Sequence, residues 1–216
     1  VRTNLDFILS DKAEDECKVI FLTSTISGEG KTFVSANLAA TFSLSGKKVL
    51  LIGLDLRNPK LYEYVKVNPL GISNYITSNN KTLNDYISSV EGYQNFDVLS
   101  SGSIPPNPTE ILMNKKIKEV FDTLKAQYDY IIVDTAPVSL VTDTLLISKY
   151  ADATIYVVRA NKIDKEMLRI PNELYRDKKL NKLSLVLNDS DVTKGYGYGY
   201  GYRYGAKGDQ KPFWKK

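Results

Sequence analysis

Short apolar runs rich in β-branched residues recur along most of the chain, with longer stretches of helical periodicity between them. Strands that are apolar throughout are typical of a parallel sheet covered on both faces, because neither side of such a strand meets water. Their alternation with helices predicts an α/β fold, namely a doubly wound, mainly parallel sheet with helices on both faces. The predicted strands are 19–22, 49–52, 130–133, 154–158 and 183–187, and the predicted helices are about 31–45, 115–127, 142–149 and 164–177.

Two segments fit this pattern less well. Residues 96–99 form a weaker apolar run before a proline-rich turn, and we interpret them as a further strand. Residues 58–95 are polar with little periodicity, and we interpret them as loops with short helices. No apolar run approaches the roughly 18 residues needed to span a bilayer. The chain begins at Val1 without an initiator methionine, which suggests a fragment.

The regular pattern stops after Asn188, and glycine and tyrosine alternate over much of the remainder. Glycine at every second position makes a helix or a strand costly. We therefore predict a folded domain over 1–189 and a flexible tail over 190–216. Residues 194–216 hold six basic residues and one acidic residue, a net charge of +5, whereas the whole chain carries +4. The rest of the chain is thus almost neutral, which argues against a nucleic acid as partner.

The chain contains no histidine and one cysteine, Cys17. These counts exclude Ser-His-Asp and Cys-His catalysis and zinc sites that use histidine. We expect Cys17 to pack passively. Any catalysis must therefore use carboxylates, lysine, arginine, backbone amides and a hard metal ion.

A glycine-rich loop follows the first predicted strand and precedes a predicted helix. Its sequence, residues 27–32, ends in Gly-Lys-Thr, as phosphate-binding P-loops do. The glycines allow backbone N–H groups to surround phosphate oxygens, Lys31 would bridge the β- and γ-phosphates, and the Thr32 hydroxyl would bind Mg²⁺. Thr25 stands where the strict motif has its first glycine. The alternative is a glycine-rich turn without a ligand.

Two further strands end in acidic residues. Asp55 and Arg57 follow the second strand, and Asp134 ends the buried strand 130–133. Ligands of open α/β sheets bind beyond the carboxyl ends of the strands. Asp134 has the position of a Walker-B aspartate, which holds the Mg²⁺ that bridges the phosphates. The alternatives are a surface salt bridge for Asp55 and a helix cap for Asp134.

With these motifs in place, the chain resembles the catalytic domain of the bacterial protein-tyrosine kinases (BY-kinases) of capsule and exopolysaccharide export, in the polysaccharide co-polymerase family. The resemblance covers nearly the whole chain, and the Ile-Pro-Pro-Asn-Pro-Thr-Glu stretch at 104–110 is specific to it. The other matching stretches are 2–5, 23–32, 49–57, 128–137 and the tyrosine cluster of the tail.

The resemblance implies an ATP- and Mg²⁺-dependent tyrosine autokinase with a P-loop fold. The catalytic residues it implies are Lys31, Asp55, Arg57 and Asp134, with Thr32, Asp55 and Asp134 at the metal. The nucleotide-binding residues are Ser27, Gly28, Glu29, Gly30, Lys31, Thr32, Phe33 and, toward the base, Asn188, whose alternative is a turn-forming asparagine. The phosphoacceptors are Tyr196, Tyr198, Tyr200, Tyr202 and Tyr204.

The resemblance also implies partners and a location. The partners are ATP and ADP, neighbouring subunits of a ring-like homo-oligomer, a cognate tyrosine phosphatase, and a membrane activator that is either a separate protein or a transmembrane and periplasmic portion of the same protein. The domain would lie on the cytoplasmic side of the inner membrane.

Two departures from the family pattern bear on mechanism. The motif after the second strand usually reads Asp-x-Asp-x-Arg, and Gly53 stands in place of its first aspartate. Asp55 then serves as both base and metal ligand, or the phosphate assists deprotonation. Of the family's Glu-x-x-Arg-x-x-Arg oligomerisation motif only Arg2 matches, which weakens the expected assembly.

Two other functions are compatible with the P-loop. One is a partner-regulated ATPase resembling the ParA/MinD group, although Ile26 stands where those proteins usually have an additional lysine. The other is a catalytically inactive scaffold, which only Gly53 favours.

Overall fold

The computed structural model describes residues 1–78 and 81–191, and the predicted α/β fold is confirmed. A seven-stranded sheet has the order β3-β4-β2-β5-β1-β6-β7. All neighbouring strands are parallel except β3 and β4, which are antiparallel. The strands are β1 (Lys18–Ser24), β2 (Val49–Gly53), β3 (Ile87–Ser89), β4 (Phe96–Leu99), β5 (Tyr130–Asp134), β6 (Ala153–Arg159) and β7 (Leu183–Asn188).

The strand register brings three strand ends together. Asp134 pairs with Leu22 of β1 on one side and with Gly53 of β2 on the other. Because these strands are parallel, the loops that follow them emerge at the same edge of the sheet. The loop after β1, the segment after β2 and the end of β5 are therefore neighbours in space.

Helices cover both faces of the sheet, as the sequence predicted. Their apolar sides pack on two clusters of buried residues, one on each face. Phe42 stacks on Tyr130 with ring centroids 4.0 Å apart in one cluster, and Phe121 lies 6.0 Å from Phe21 in the other. The helices are α1 (Arg2–Ile8), α2 (Lys31–Leu44), α3 (Ile72–Thr77), α4 (Pro108–Met113), α5 (Lys115–Lys125), α6 (Asp143–Ile147) and α7 (Arg169–Arg176).

Several elements differ from the sequence prediction. Segment 58–95 was interpreted without a strand, which is wrong for β3, a strand of three residues that is too short to show alternation. Helix α4 was not predicted; it begins at Pro108, where the proline-rich turn 104–108 ends, and proline is favourable in the first turn of a helix. Asn114 then caps α5 by accepting a hydrogen bond from the Lys116 N–H, so α4 and α5 are separate helices.

Within the described residues, no helix is long and apolar enough to cross a membrane. Cys17 is buried, and burial raises the pKa of its thiol to about 12. The thiol therefore stays protonated at neutral pH and cannot act as a nucleophile, in line with the passive role expected for it. Of the predicted tail, 190–216, only residues 190 and 191 are described, and all five candidate acceptor tyrosines lie outside the described residues.

Candidate functional site

The loop between β1 and α2 has the backbone geometry of a phosphate-binding loop. Gly28 and Gly30 have φ values of 86° and 89°, a left-handed conformation that side chains disfavour. A Cβ atom at Gly30 would also lie 2.1 Å from Nδ2 of Asn188, so only glycine fits there. The loop leads into the first turn of α2, a helix of 14 residues whose free N–H groups and dipole favour an anion.

Lys31, Thr32 and Asp134 form a buried cluster where this loop meets the end of β5. The Lys31 ammonium donates to one Asp134 carboxylate oxygen at 2.8 Å, and the Thr32 hydroxyl donates to the other at 2.7 Å. Ser35, one turn further along α2, donates to Asp134 at 3.3 Å. Ser35 lies outside the Gly-Lys-Thr motif and was not predicted as a site residue. Each of the three predicted residues is less than a tenth exposed, so their mutual geometry is fixed.

Asp55 lies beside this cluster and on its solvent side. One of its carboxylate oxygens is 3.9 Å from the Lys31 ammonium, and the other accepts a hydrogen bond from the Asn58 N–H at 3.0 Å. Burial raises the pKa of Asp55 above its ordinary value of 3.8, and the neighbouring Lys31 charge opposes that shift. A carboxylate with a raised pKa is a better proton acceptor than an ordinary one.

Gly53 leaves no room for a second carboxylate after β2. A Cβ atom there would lie 2.9 Å from the Ser101 hydroxyl, which donates to the Gly53 carbonyl at 3.0 Å. An aspartate at this position would have to displace Ser101. The segment after β2 thus contributes Asp55 alone to the cluster.

Arg57 points to a residue that the sequence analysis missed. Its guanidinium makes two hydrogen bonds to the Asp143 carboxylate, at 2.7 and 3.1 Å, and a third to the Thr109 hydroxyl at 3.1 Å. Asp143 is buried at the start of α6, and Thr109 belongs to the Pro-Pro-Asn-Pro-Thr-Glu stretch. An acidic residue in the first turn of a helix is common, so the sequence alone did not single out Asp143.

Glu29 was predicted among the nucleotide-binding residues, and its side chain faces the protein interior. The carboxylate is fully buried and accepts hydrogen bonds from the backbone N–H groups of Ile26, at 2.8 Å, and Arg159, at 3.4 Å. Through these two hydrogen bonds, Glu29 connects the loop to the end of β6. Its backbone carbonyl accepts a hydrogen bond from the Asn188 side-chain amide at 3.0 Å.

Two adjoining cavities lie over the loop. The first, of about 230 Å³, is lined by the loop itself together with Lys31, Thr32 and Asp55. The second, of about 260 Å³, is lined by Phe33, Tyr64, Arg159, Asn188 and Asp189. The first has the charge and backbone donors that suit phosphates, and the second has the aromatic and amide groups that suit a base. Tyr64 and Arg159 were not predicted, because neither belongs to a recognisable motif.

The donor set fits Mg²⁺ held jointly with phosphates. Within the described ranges, no group of three or more acidic, histidine or cysteine side chains could hold a metal ion by itself. Mg²⁺ usually binds through one or two carboxylates together with substrate phosphates and water. Asp55 and the Thr32 hydroxyl are hard oxygen donors on the wall of the phosphate cavity, and Asp134 accepts a hydrogen bond from the same hydroxyl at 2.7 Å. These three residues would hold the ion together with the phosphates.

The sheet, the loop before α2 and the aspartate at the end of β5 define a P-loop nucleotide-binding protein. In agreement, the family model described as an AAA domain matches residues 17–169. The tyrosine-protein kinase YwqD of Bacillus subtilis is 35% identical over 195 residues, covering 90% of this chain and 80% of that protein. The chain belongs to the bacterial tyrosine kinases of capsule and exopolysaccharide systems, so the predicted family is confirmed.

A solved structure gives the same result. The kinase domain of the Escherichia coli tyrosine kinase ETK is 30% identical, with a TM-score of 0.79, covering 93% of this chain and 78% of that one. The septum site-determining protein MinD from Pyrococcus horikoshii, complexed with Mg-ADP, has a TM-score of 0.63 at 23% identity, covering 79% and 70% of the two chains. At that identity the likeness extends to the fold alone, and it does not favour the ParA/MinD-like function.

Proposed function

We propose that this chain is an ATP- and Mg²⁺-dependent tyrosine autokinase that phosphorylates the tyrosine cluster of a neighbouring subunit's tail. The observation that carries this proposal is the position of Asp55. It lines the phosphate cavity on its open side, while Asp134 behind it is engaged by Lys31 and Thr32. A carboxylate in front of the phosphates, with a raised pKa, suits a phenol acceptor, whose ordinary pKa is about 10.

The transfer itself is a displacement at the γ-phosphorus. The phenol oxygen forms a bond to phosphorus, the bond from phosphorus to the β–γ bridging oxygen breaks, and ADP leaves with that electron pair. The phenol proton passes to the Asp55 carboxylate. Lys31 and the loop N–H groups stabilise the negative charge on the phosphoryl oxygens.

The remaining residues position the reactants. Asp134, Thr32 and Asp55 would hold Mg²⁺, which neutralises charge on the β- and γ-phosphates. Arg57, held by Asp143, lines a small cavity that shares Asp55 with the phosphate cavity, and it would orient a phosphate or the substrate. Phe33 and Asn188 border the second cavity, where the base would lie.

The biological setting follows from the family. The domain would regulate polysaccharide synthesis or export from the cytoplasmic side of the inner membrane. Its partners would be neighbouring subunits of a ring, a membrane activator in the same or a separate chain, and a cognate phosphatase. Three phosphates would add about −4.5 to −6 in charge, which cancels or reverses the +5 of residues 194–216 and would weaken a ring by repulsion.

Incubation with Mg-ATP followed by phosphate mapping tests this proposal. Phosphate should appear on several of the five tail tyrosines. It should be absent from Tyr130 and Tyr156, which are 6% and 0% exposed. Phosphate on Tyr62 or Tyr175 alone, both exposed and outside the tail, would contradict the autokinase assignment. Formation of ADP without phosphotyrosine would instead favour an ATPase.

The same assay tests transfer between subunits. A Lys31→Met chain is mixed with an active chain in which the five tail tyrosines are replaced by phenylalanine. The tail of the Lys31→Met chain should gain phosphate. If it gains none, and the wild-type rate per chain is independent of concentration, then transfer occurs within one chain.

Asp55 also predicts how phosphotransfer depends on pH. Because burial raises the pKa of Asp55 above 3.8, this carboxylate becomes protonated at a higher pH than an ordinary aspartate does. A protonated Asp55 cannot accept the phenol proton, so kcat/KM should fall as pH is lowered through that raised pKa. The residual activity of the Asp55→Asn variant should not show this fall of kcat/KM at low pH. If kcat/KM of Asp55→Asn still falls at low pH as in the wild type, another group accepts the proton.

A further inference from the structure

A larger cavity, of about 460 Å³, borders the segment after β2, as the phosphate cavity does. Asn58 and Lys60 line the phosphate cavity. Pro59 and Leu61, which alternate with them along the chain, line the larger one. Because consecutive Cα atoms are only about 3.8 Å apart, the two cavities are close neighbours. We call the larger one the proline cavity, after Pro59 and Pro69 in its lining.

The lining of the proline cavity is mostly apolar and partly exposed. Leu61 is buried, whereas Tyr62 and Ile104 are 65% and 63% exposed. The Ser100 hydroxyl, also in the lining, donates to the Asn68 carbonyl at 2.8 Å, which connects two segments of the wall. The volume of this cavity lies within the range of about 300–1,000 Å³ that is typical of ligand pockets. The proline cavity therefore has the form of a binding site for an apolar group.

Gly53 leaves space for two of the buried side chains that line this cavity. A Cβ atom at position 53 would lie 2.9 Å from the Ser101 hydroxyl and 3.4 Å from Cδ2 of Leu61. An aspartate there, as in the usual family motif, would need room that these side chains occupy. The departure from the family motif at Gly53 is therefore linked to the shape of the proline cavity.

The tail of the chain contains an apolar segment that suits this cavity. Phe213 and Trp214 follow a proline, and Trp214 is the chain's only tryptophan. An aromatic side chain buries roughly 150–250 Å² in an apolar site. Nine positions separate Phe213 from Tyr204, the last tyrosine of the cluster, and a random coil of that length has a typical reach of about 15–18 Å. Phe213 and Trp214 can thus lie in the proline cavity while a tyrosine of the same tail lies at the phosphate cavity.

From this arrangement we propose that the proline cavity binds Phe213 and Trp214 of a second copy of this chain and so holds the tyrosine cluster of that copy beside the phosphate cavity. The docking contact itself requires no phosphotransfer, but its consequence rests on the proposed function, in which transfer occurs between copies. A tail held in this way presents its tyrosines at a high effective concentration. Several tyrosines of one tail can then react in turn before the tail is released.

Tryptophan fluorescence measures the docking contact without phosphotransfer. The receptor is the full chain with Trp214→Ala, so that a synthetic peptide of residues 206–216 carries the only tryptophan in the mixture. The emission of the peptide should move to shorter wavelength on binding, because the indole enters an apolar site. Tyr62→Ala in the receptor should weaken the peptide affinity roughly tenfold, a loss typical of removing an aromatic contact from an interface. Tyr175→Ala is the matched control, since Tyr175 is also 65% exposed but belongs to α7.

The intact wild-type chain identifies the copy that supplies the segment. Its Trp214 emission should move to shorter wavelength as the protein concentration rises, and this shift should be lost in Tyr62→Ala but kept in Tyr175→Ala. A shift that is the same at all concentrations would mean that the segment docks in its own chain, and the proposal of a second copy would be wrong. The proposal is also wrong if the Tyr62→Ala and Tyr175→Ala receptors bind the peptide equally well.

Phosphotransfer kinetics test the consequence for the reaction. An active chain that carries Trp214→Ala, with its five tail tyrosines replaced by phenylalanine, is mixed with increasing amounts of the Lys31→Met chain. Adding Trp214→Ala to the Lys31→Met chain should raise the concentration that gives half-maximal rate roughly tenfold, whereas Trp214→Phe, which keeps an aromatic ring, should raise it less than about threefold. Equal values for Trp214→Ala and the unaltered tail would contradict the proposal. Absence of phosphotyrosine with the wild-type chain would instead refute the proposed function and leave the peptide measurement valid.

Discussion

Replacing Lys31 with methionine is expected to abolish phosphotransfer. Lys31 and Lys60 both line the phosphate cavity, and the Lys31 ammonium also donates to Asp134 at 2.8 Å, beside Thr32. Loss of a charge contact with the transferring phosphoryl group raises the barrier by about 3 kcal/mol or more, which is at least about a hundredfold in rate. Single-turnover assays with Mg-ATP measure this loss. A variant that retains more than roughly a tenth of the activity would overturn the P-loop assignment.

The same substitution should also destabilise the fold. The sequence suggested that the Lys31 charge was needed only by the phosphates, but the structure places it against buried Asp134 at 2.8 Å. Removing one partner of a buried ion pair costs about 3 kcal/mol. For a chain of this size that lowers Tm by roughly 6–12 °C.

A double variant separates stability from chemistry. Lys31→Met combined with Asp134→Asn removes both charges, so most of the lost Tm should return while activity stays absent. Lys118→Met is the matched control, since Lys118 is 70% exposed on α5 and carries the same charge change. It should leave both Tm and activity near the wild-type values.

The parts of the fold that the sequence predicted are those with strong local patterns. The long apolar strands and the Gly-Lys-Thr loop specify the sheet and its functional edge without reference to distant residues. Strand β3 and helix α1 are short, and tertiary contacts stabilise them more than their own periodicity does. Leu5 of α1, for example, is buried in the same cluster as Phe42 and Tyr130.

The candidate site also contains residues that local sequence motifs predicted and residues that they did not. Lys31, Thr32, Asp55 and Asp134 come from motifs at strand ends, and the register of β1, β2 and β5 brings them together. Asp143 contacts Arg57 across 86 positions of the sequence, a contact that no local pattern encodes. Glu29 lies within the motif, yet its burial depends on the backbone of β6 and so could not be read from the motif.

Asp134→Asn is expected to reduce phosphotransfer about 10²- to 10³-fold. Asp134 is the most buried of the three proposed metal donors, and both of its carboxylate oxygens face the phosphate-binding residues. An amide retains the shape of the carboxylate but lacks the charge that attracts Mg²⁺ and compensates Lys31. Effects of this size are typical when one group that stabilises transition-state charge is removed. The Mg²⁺ concentration that gives half-maximal rate should rise as well.

Asp152→Asn is the control for this prediction, because Asp152 is also ion-paired but lies at the opposite edge of the sheet. It forms an ion pair with Lys12 at 2.9 Å and accepts a hydrogen bond from the Val19 N–H at 2.8 Å. These contacts lie where β1 and β6 begin. Asparagine still offers an oxygen to that N–H, so single-turnover rates should stay within about threefold of wild type. Since only Asp134 adjoins the phosphate cavity, equal losses in the two variants would mean that the metal ion is bound elsewhere.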